Sequence, residues 1–138
     1  MLALRCAPVF STLALTAGLL VAGTLARPAL AAATDYRFEL IGVPQPDGGK
    51  DVVQIQLMHL PDHKAVKDAV IFEIRADMGP SGMPTMTAPA TLLPASTPGV
   101  YRIAVEPGMS GAWAITLAAK IQGESETVRG SIDAKLVK

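Results

Sequence analysis

Residues 100–120, VYRIAVEPGMSGAWAITLAAK, carry the decisive pattern. Tyr101, Ile103 and Val105 alternate with Arg102 and Ala104, then the run stops at EPGMSG. Beyond that turn Trp113, Ile115, Leu117 and Ala119 form a second apolar stripe at every other position. A period of two puts one side-chain set on each face of a pleated strand, so both runs read as half-buried β-strands joined by a turn.

The same alternation recurs outward in both directions. Residues 36–43 set Tyr36, Phe38 and Leu40 against Arg37 and Glu39 and end at PQPDGGK. Val53, Ile55 and Leu57 alternate with Gln54 and Gln56 and end at LPDHK. Val70, Phe72 and Ile74 alternate with Glu73 and Arg75. Residues 87–93 make a weaker strand, since Pro89 suits only an edge, and ASTPG follows. After the polar link GESETVRG, Ile132, Ala134 and Leu136 alternate with Ser131, Asp133 and Lys135. About seven strands with a turn signal every ten or so residues predict an all-β protein, a small antiparallel sandwich of two packed sheets. A β-barrel is the alternative closure. No internal repeat is visible.

Ahead of these strands, residues 1–31 have the features of a secretory signal. Arg5 gives a positive start, an apolar run follows, and Ala29-Leu30-Ala31 offers a small-x-small cut site, with a second after Ala33. The apolar run is short for a membrane span, and Pro28 would break a helix there. The expectation is cleavage, export to the periplasm with no stable membrane insertion, and a single domain over residues 32–138. Cys6 is the only cysteine in the 138 residues and falls within the signal segment. The exported chain then has no disulfide and no thiolate, which leaves thioether, imidazole and carboxylate as metal-ligand types.

With Arg5 and Arg27 set apart, ten basic residues face twelve acidic ones, a net charge of −2. A mildly acidic chain with five aromatic residues after position 31 and no basic stripe has no electrostatic basis for binding nucleic acid. No Ser-His-Asp set, cysteine nucleophile or phosphate-binding glycine loop is legible, so the expectation is a protein that is not an enzyme. Asp77 and Glu106 are a lone carboxylate pair; they read as solvated turn residues, or Asp77 as a residue that holds its loop through backbone N–H groups.

Residues 77–86, DMGPSGMPTM, hold three of the six methionines. Gly79, Pro80, Gly82 and Pro84 interleave Met78, Met83 and Met86, and that density of glycine and proline predicts a loop. Methionine in a solvated loop has three explanations. It can be a soft-metal site, an adaptable docking surface for a partner, or a plug over the open end of the core. Strand direction adds a fourth residue. If successive strands run antiparallel, the turn EPGMSG returns to the methionine end and brings Met109 beside the other three. The same count sends His59 and His63 to the opposite end, roughly 20 Å away along a six-residue strand. Trp113 opens its strand at the methionine end, where its ring either covers an ion or, as its parity with Ile115 suggests, packs in the core.

The segments DAVIFEIRADM, GMPTMTAP and GVYRIAVEPGMSGAWAITLAAK together resemble the FixH/YtkA-like family of exported immunoglobulin-like domains. The shared features are a strand ending in Asp-Met, a Met-Pro loop, a Gly-x-Tyr strand and a Met-x-Gly-x-Trp turn. The resemblance implies a periplasmic β-sandwich associated with copper or silver handling, with a metal efflux system or a copper-oxidase assembly protein as partner. It places Met78, Met83, Met86 and Met109 as ligands to Cu(I) or Ag(I). Relatives often add histidines; this loop has none, which argues against Cu(II) or Zn(II). The competing expectation is a metal-free interaction module that docks through the same Met/Pro loop.

Overall fold

A computed structural model describes residues 33–138; the signal segment expected at 1–31 lies outside the described residues. A 3₁₀ turn at Ala33–Asp35 leads into ten strands. These are β1 (Tyr36–Leu40), β2 (Gln45–Asp47), β3 (Lys50–His59), β4 (Lys64–Ala65), β5 (Ala69–Met78), β6 (Met83–Ala88), β7 (Ala90–Leu93), β8 (Val100–Val105), β9 (Gly111–Ile121) and β10 (Thr127–Leu136). One sheet runs β1-β3-β8-β7, with β2 and β4 also paired to β3; the other runs β10-β9-β5-β6. Every pairing is antiparallel. The protein is therefore an all-β sandwich of two sheets. Among the described residues no helix is long and apolar enough to cross a membrane.

The predicted stripes are the inner faces except in β5. There Val70 and Phe72 are 65% and 54% exposed and Ile71 is buried instead, because a bulge between Ile71 and Glu73 shifts the phase of the strand against β9. Val53, Ile55 and Leu57 of β3, Ile103 and Val105 of β8, and Trp113, Ile115 and Leu117 of β9 are all fully buried in one core. At about 25 cal/mol per Å² of apolar surface removed from water, this facing of two stripes is the main stabilising term. The outer face of the second sheet carries charged groups beside the exposed Val70 and Phe72. Arg129 and Glu73 are both cross-strand partners of Ala118, and their 2.8 Å ion pair passes over it. Ala118 is consequently buried although it faces away from the core. On the flank of the sandwich Phe38 packs against Gly130, where a Cβ would come within 2.8 Å of the ring.

Two further sequence expectations change. The strand expected over 87–93 is two strands in different sheets: Ala88 pairs with Ala76 of β5, whereas Ala90 pairs with Val105 of β8. Pro89 sits at the crossing. It has no N–H for either ladder, and its carbonyl accepts Glu106 N at 2.9 Å, just beyond the Ala90↔Val105 pair of β7 and β8. The second change concerns the methionine stretch, which is not wholly loop. Asp77 and Met78 end β5, Gly79–Ser81 is a 3₁₀ turn, and Met83 begins β6. Pro84 is accommodated because β6 is the outermost strand of its sheet, where a missing N–H leaves no ladder bond unmade.

Candidate metal centre

The methionine end is built from the β5–β6 connection and the β8–β9 turn. Chain reversal after Met78 is fixed locally. Asp77 Oδ1 accepts Gly79 N at 2.9 Å, Pro80 sets the 3₁₀ turn, and Gly82 takes a left-handed φ of 79° while its N–H closes on Gly79 O at 2.9 Å. Ser81 then ties this turn to β9: its hydroxyl donates to Ala112 O at 3.0 Å and accepts Ala112 N at 3.2 Å. The methyl of Met78 lies against Gly111, the residue before Ala112, where a Cβ would come within 2.7 Å of it. Strand alternation does return the second turn to this end, and Met109 lies two residues before Gly111. Its carbonyl accepts Trp113 Nε1 at 3.1 Å, which anchors the turn to a fully buried indole.

The four methionines are not alike. Met78 is 2% exposed and belongs to the core, whereas Met83, Met86 and Met109 are 37%, 38% and 41% exposed. A regular ladder would continue from Ala76↔Ala88 and Asp77↔Thr87 to Met78↔Met86. Instead the register slips and Met78 pairs with Met83. Pro84, Thr85 and Met86 are thereby left out of the ladder as a bulge on the sheet's outer edge. Arg75 braces this edge, with Nε 3.4 Å from Asp77 Oδ2 and Nη2 donating to Pro84 O at 3.5 Å. Thus one methionine belongs to the core and three are partly open to solvent.

Of the other residues considered from sequence, Trp113 is a core residue. Asp77 holds its own turn, and Glu106 forms a 2.8 Å ion pair with Lys50. His59 is at the far end, its ring 4.9 Å from that of Tyr36 and its Nδ1 2.7 Å from Asp62 Oδ1. This contact holds the Asp62 carboxyl below its ordinary value. His63 lies in the turn next to it, with a φ of 53°. The methionine end therefore receives no imidazole. Among the described residues no group of three or more His, Cys, Asp or Glu is arranged to hold a metal ion. The donors at this end are neutral, polarisable thioethers, a set that fits a soft monovalent ion and not a hard divalent one.

Two residues that hold this end together carry no local mark in the sequence. Ser81 looks like one more polar turn residue, and nothing local marks its reach across to Ala112. Asp51 is 1% exposed; its Oδ2 accepts Val137 N at 2.6 Å and its Oδ1 has no hydrogen-bond partner. Next to it Lys138 N donates to Ser110 Oγ at 2.9 Å, so the chain after β10 is pinned both to β3 and to the Met109 turn. One signal was present in the sequence: Asp51 shares the inward parity of Val53, Ile55 and Leu57.

A YtkA-like family profile matches residues 30–118, more than half of the chain. The chain belongs to the YtkA-like family. The match spans both methionine-bearing connections of this YtkA-like domain and ends within β9, so β10 lies beyond it. No curated protein matches the chain. Among solved structures the chain is similar to one described as the ZirS C-terminal domain, at 12% identity and a TM-score of 0.38, covering 96% of this chain and 88% of that one.

Proposed function

We propose that this YtkA-like domain is a periplasmic binding protein for a soft monovalent ion, Cu(I) or Ag(I), serving copper handling through efflux or oxidase assembly. The observation that carries the reading is the access pattern at the methionine end. Three thioethers remain about two-fifths exposed: Met83 at the start of β6, Met86 on the following bulge, and Met109 on a turn that hydrogen bonds hold in place. Met78, paired with Met83 across the ladder, is buried in the core. Thioether ligands need no deprotonation, so the site works across a wide pH range and resists the redox chemistry of an oxidising compartment better than a thiolate would. Mutual closeness of the two connections, enforced by Ser81 and by Met78 against Gly111, supports capture of one ion rather than scattered contacts. The domain binds and hands on its ion and performs no catalysis. A metal efflux system or a copper-oxidase assembly protein is the proposed recipient.

The deciding experiment is titration of the purified protein with Cu(I) against a competing chelator while following Trp113 fluorescence. Trp113 is the chain's one tryptophan and is bonded to the Met109 carbonyl, so occupancy of the site reaches the reporter directly. Stoichiometric binding supports the proposal. An unchanged signal with no retained copper would leave the metal-free docking module, for which the exposed outer edge of β6 is the surface. Intact-mass analysis of periplasmic extract tests export: a mass that still includes residues 1–31 means an anchored protein instead.

A further inference from the structure

The methionines differ in what an oxidant can reach. Met83, Met86 and Met109 are open to solvent, on segments whose shape is set by backbone contacts and not by their side chains. Met78 is 2% exposed in the core, with its methyl against Gly111. Residues 33–138 contain no cysteine, so thioether sulfur is the most readily oxidised group on this surface.

We propose that Met83, Met86 and Met109 form a reversible modification site for peroxide-class oxidants, and that their oxidation switches off soft-ion binding while Met78 and the fold stay intact. This rests on the soft-ion reading above. In each event a sulfur lone pair attacks one peroxide oxygen. The O–O bond breaks, an S–O bond forms, and the departing hydroxide takes up a proton to leave as water. Sulfur loses two electrons and the peroxide gains them. A dithiol-dependent sulfoxide reductase reverses the change: the dithiol becomes a disulfide, and the oxygen leaves as water. The product presents a polar S–O group where a soft lone pair stood, and Cu(I) and Ag(I) disfavour such an oxygen donor. The fold tolerates the change because these three side chains already meet water. At Met78 the same oxygen would enter an apolar core.

The test treats the purified protein with hydrogen peroxide and maps oxygen uptake by peptide mass over time, with Ag(I) titration and thermal melting on the same samples. Met58, partly buried on β3 at the opposite end, is the internal reference. Expected is uptake at Met83, Met86 and Met109 about tenfold ahead of Met78 and clearly ahead of Met58. The melting temperature should hold while Ag(I) affinity falls tenfold or more. Met78 oxidising as fast as the three, or the three no faster than Met58, would overturn the site. Oxidised protein that binds Ag(I) as tightly as untreated protein would overturn the switch. A Met83→Leu/Met86→Leu/Met109→Leu variant separates the two ideas, since its Ag(I) binding should be weak before and after peroxide. Untreated parent that retains no Ag(I) sinks the metal reading and the switch together, while the order of oxidation is still judged by mass alone.

Discussion

Met78 and Gly111 fit together only because one of them has no side chain: a Cβ at Gly111 would stand 2.7 Å from the Met78 methyl. This contact joins the end of β5 to the start of β9 and closes the core at the methionine end. The two residues are 33 positions apart, and neither one by itself marks the contact in the sequence.

Truncating the plug should therefore be expensive and filling its partner nearly so. Met78→Ala is expected to lower stability by about 2–5 kcal/mol, as for other fully buried large-to-small changes, whereas Met78→Leu should cost under about 1.5 kcal/mol. Gly111→Ala pushes on a side chain that cannot leave a packed core, at about 1–3 kcal/mol. Urea denaturation of the three variants checks the order. An alanine at 78 that leaves the midpoint unchanged would refute the plug.

Met109→Ala separates packing from binding. Its side chain is 41% exposed and its structural bond runs through the carbonyl, which alanine keeps. Stability should stay within about 0.5 kcal/mol of the parent, while Cu(I) or Ag(I) affinity drops. A clearly destabilised variant that binds as tightly as the parent would show that Met109 is packing.

Replacing His59 and His63 together by alanine should leave soft-ion stoichiometry unchanged. His59 is occupied with Asp62 and Tyr36 at the other end of the sandwich. Loss of Ag(I) binding in this variant would move the site away from the methionine end.

Alkaline pH should weaken the fold through Tyr101. Its hydroxyl donates to Val66 O at 2.8 Å and accepts Ala69 N at 3.1 Å, so it braces the chain entering β5. Burial raises its pKa above the ordinary tyrosine value of about 10. The folded state then holds the phenolic proton more tightly than the unfolded state. That contribution is fully present below about pH 10 and is lost as pH climbs through the higher folded value. Tyr36, raised by burial and by its bond to Glu124, adds to the same decline. Tyr101→Phe should lose about 0.5–1.5 kcal/mol per hydrogen bond at neutral pH and flatten part of the alkaline slope. A slope identical to the parent's would remove Tyr101 from this account.

The class of fold followed from alternation alone, a local property: Val53-Ile55-Leu57 and Trp113-Ile115-Leu117 bury one face whatever their partners are. The sequence also placed EPGMSG and the methionine stretch at one end, since antiparallel reversals alone require it. What it left open depended on contacts between distant strands. Proline at 89 announced an irregular strand, but only the competing ladders of β5 and β8 made the chain change sheets there. Gly and Pro near Met83 suggested a loop, yet a vacant outer edge allowed β6 to form. The division of the methionines was decided last. Met78, Met83, Met86 and Met109 are chemically identical in sequence; the missing side chain at Gly111 let Met78 close the core, while the register slip left Met86 out of the ladder and the turn left Met109 partly exposed.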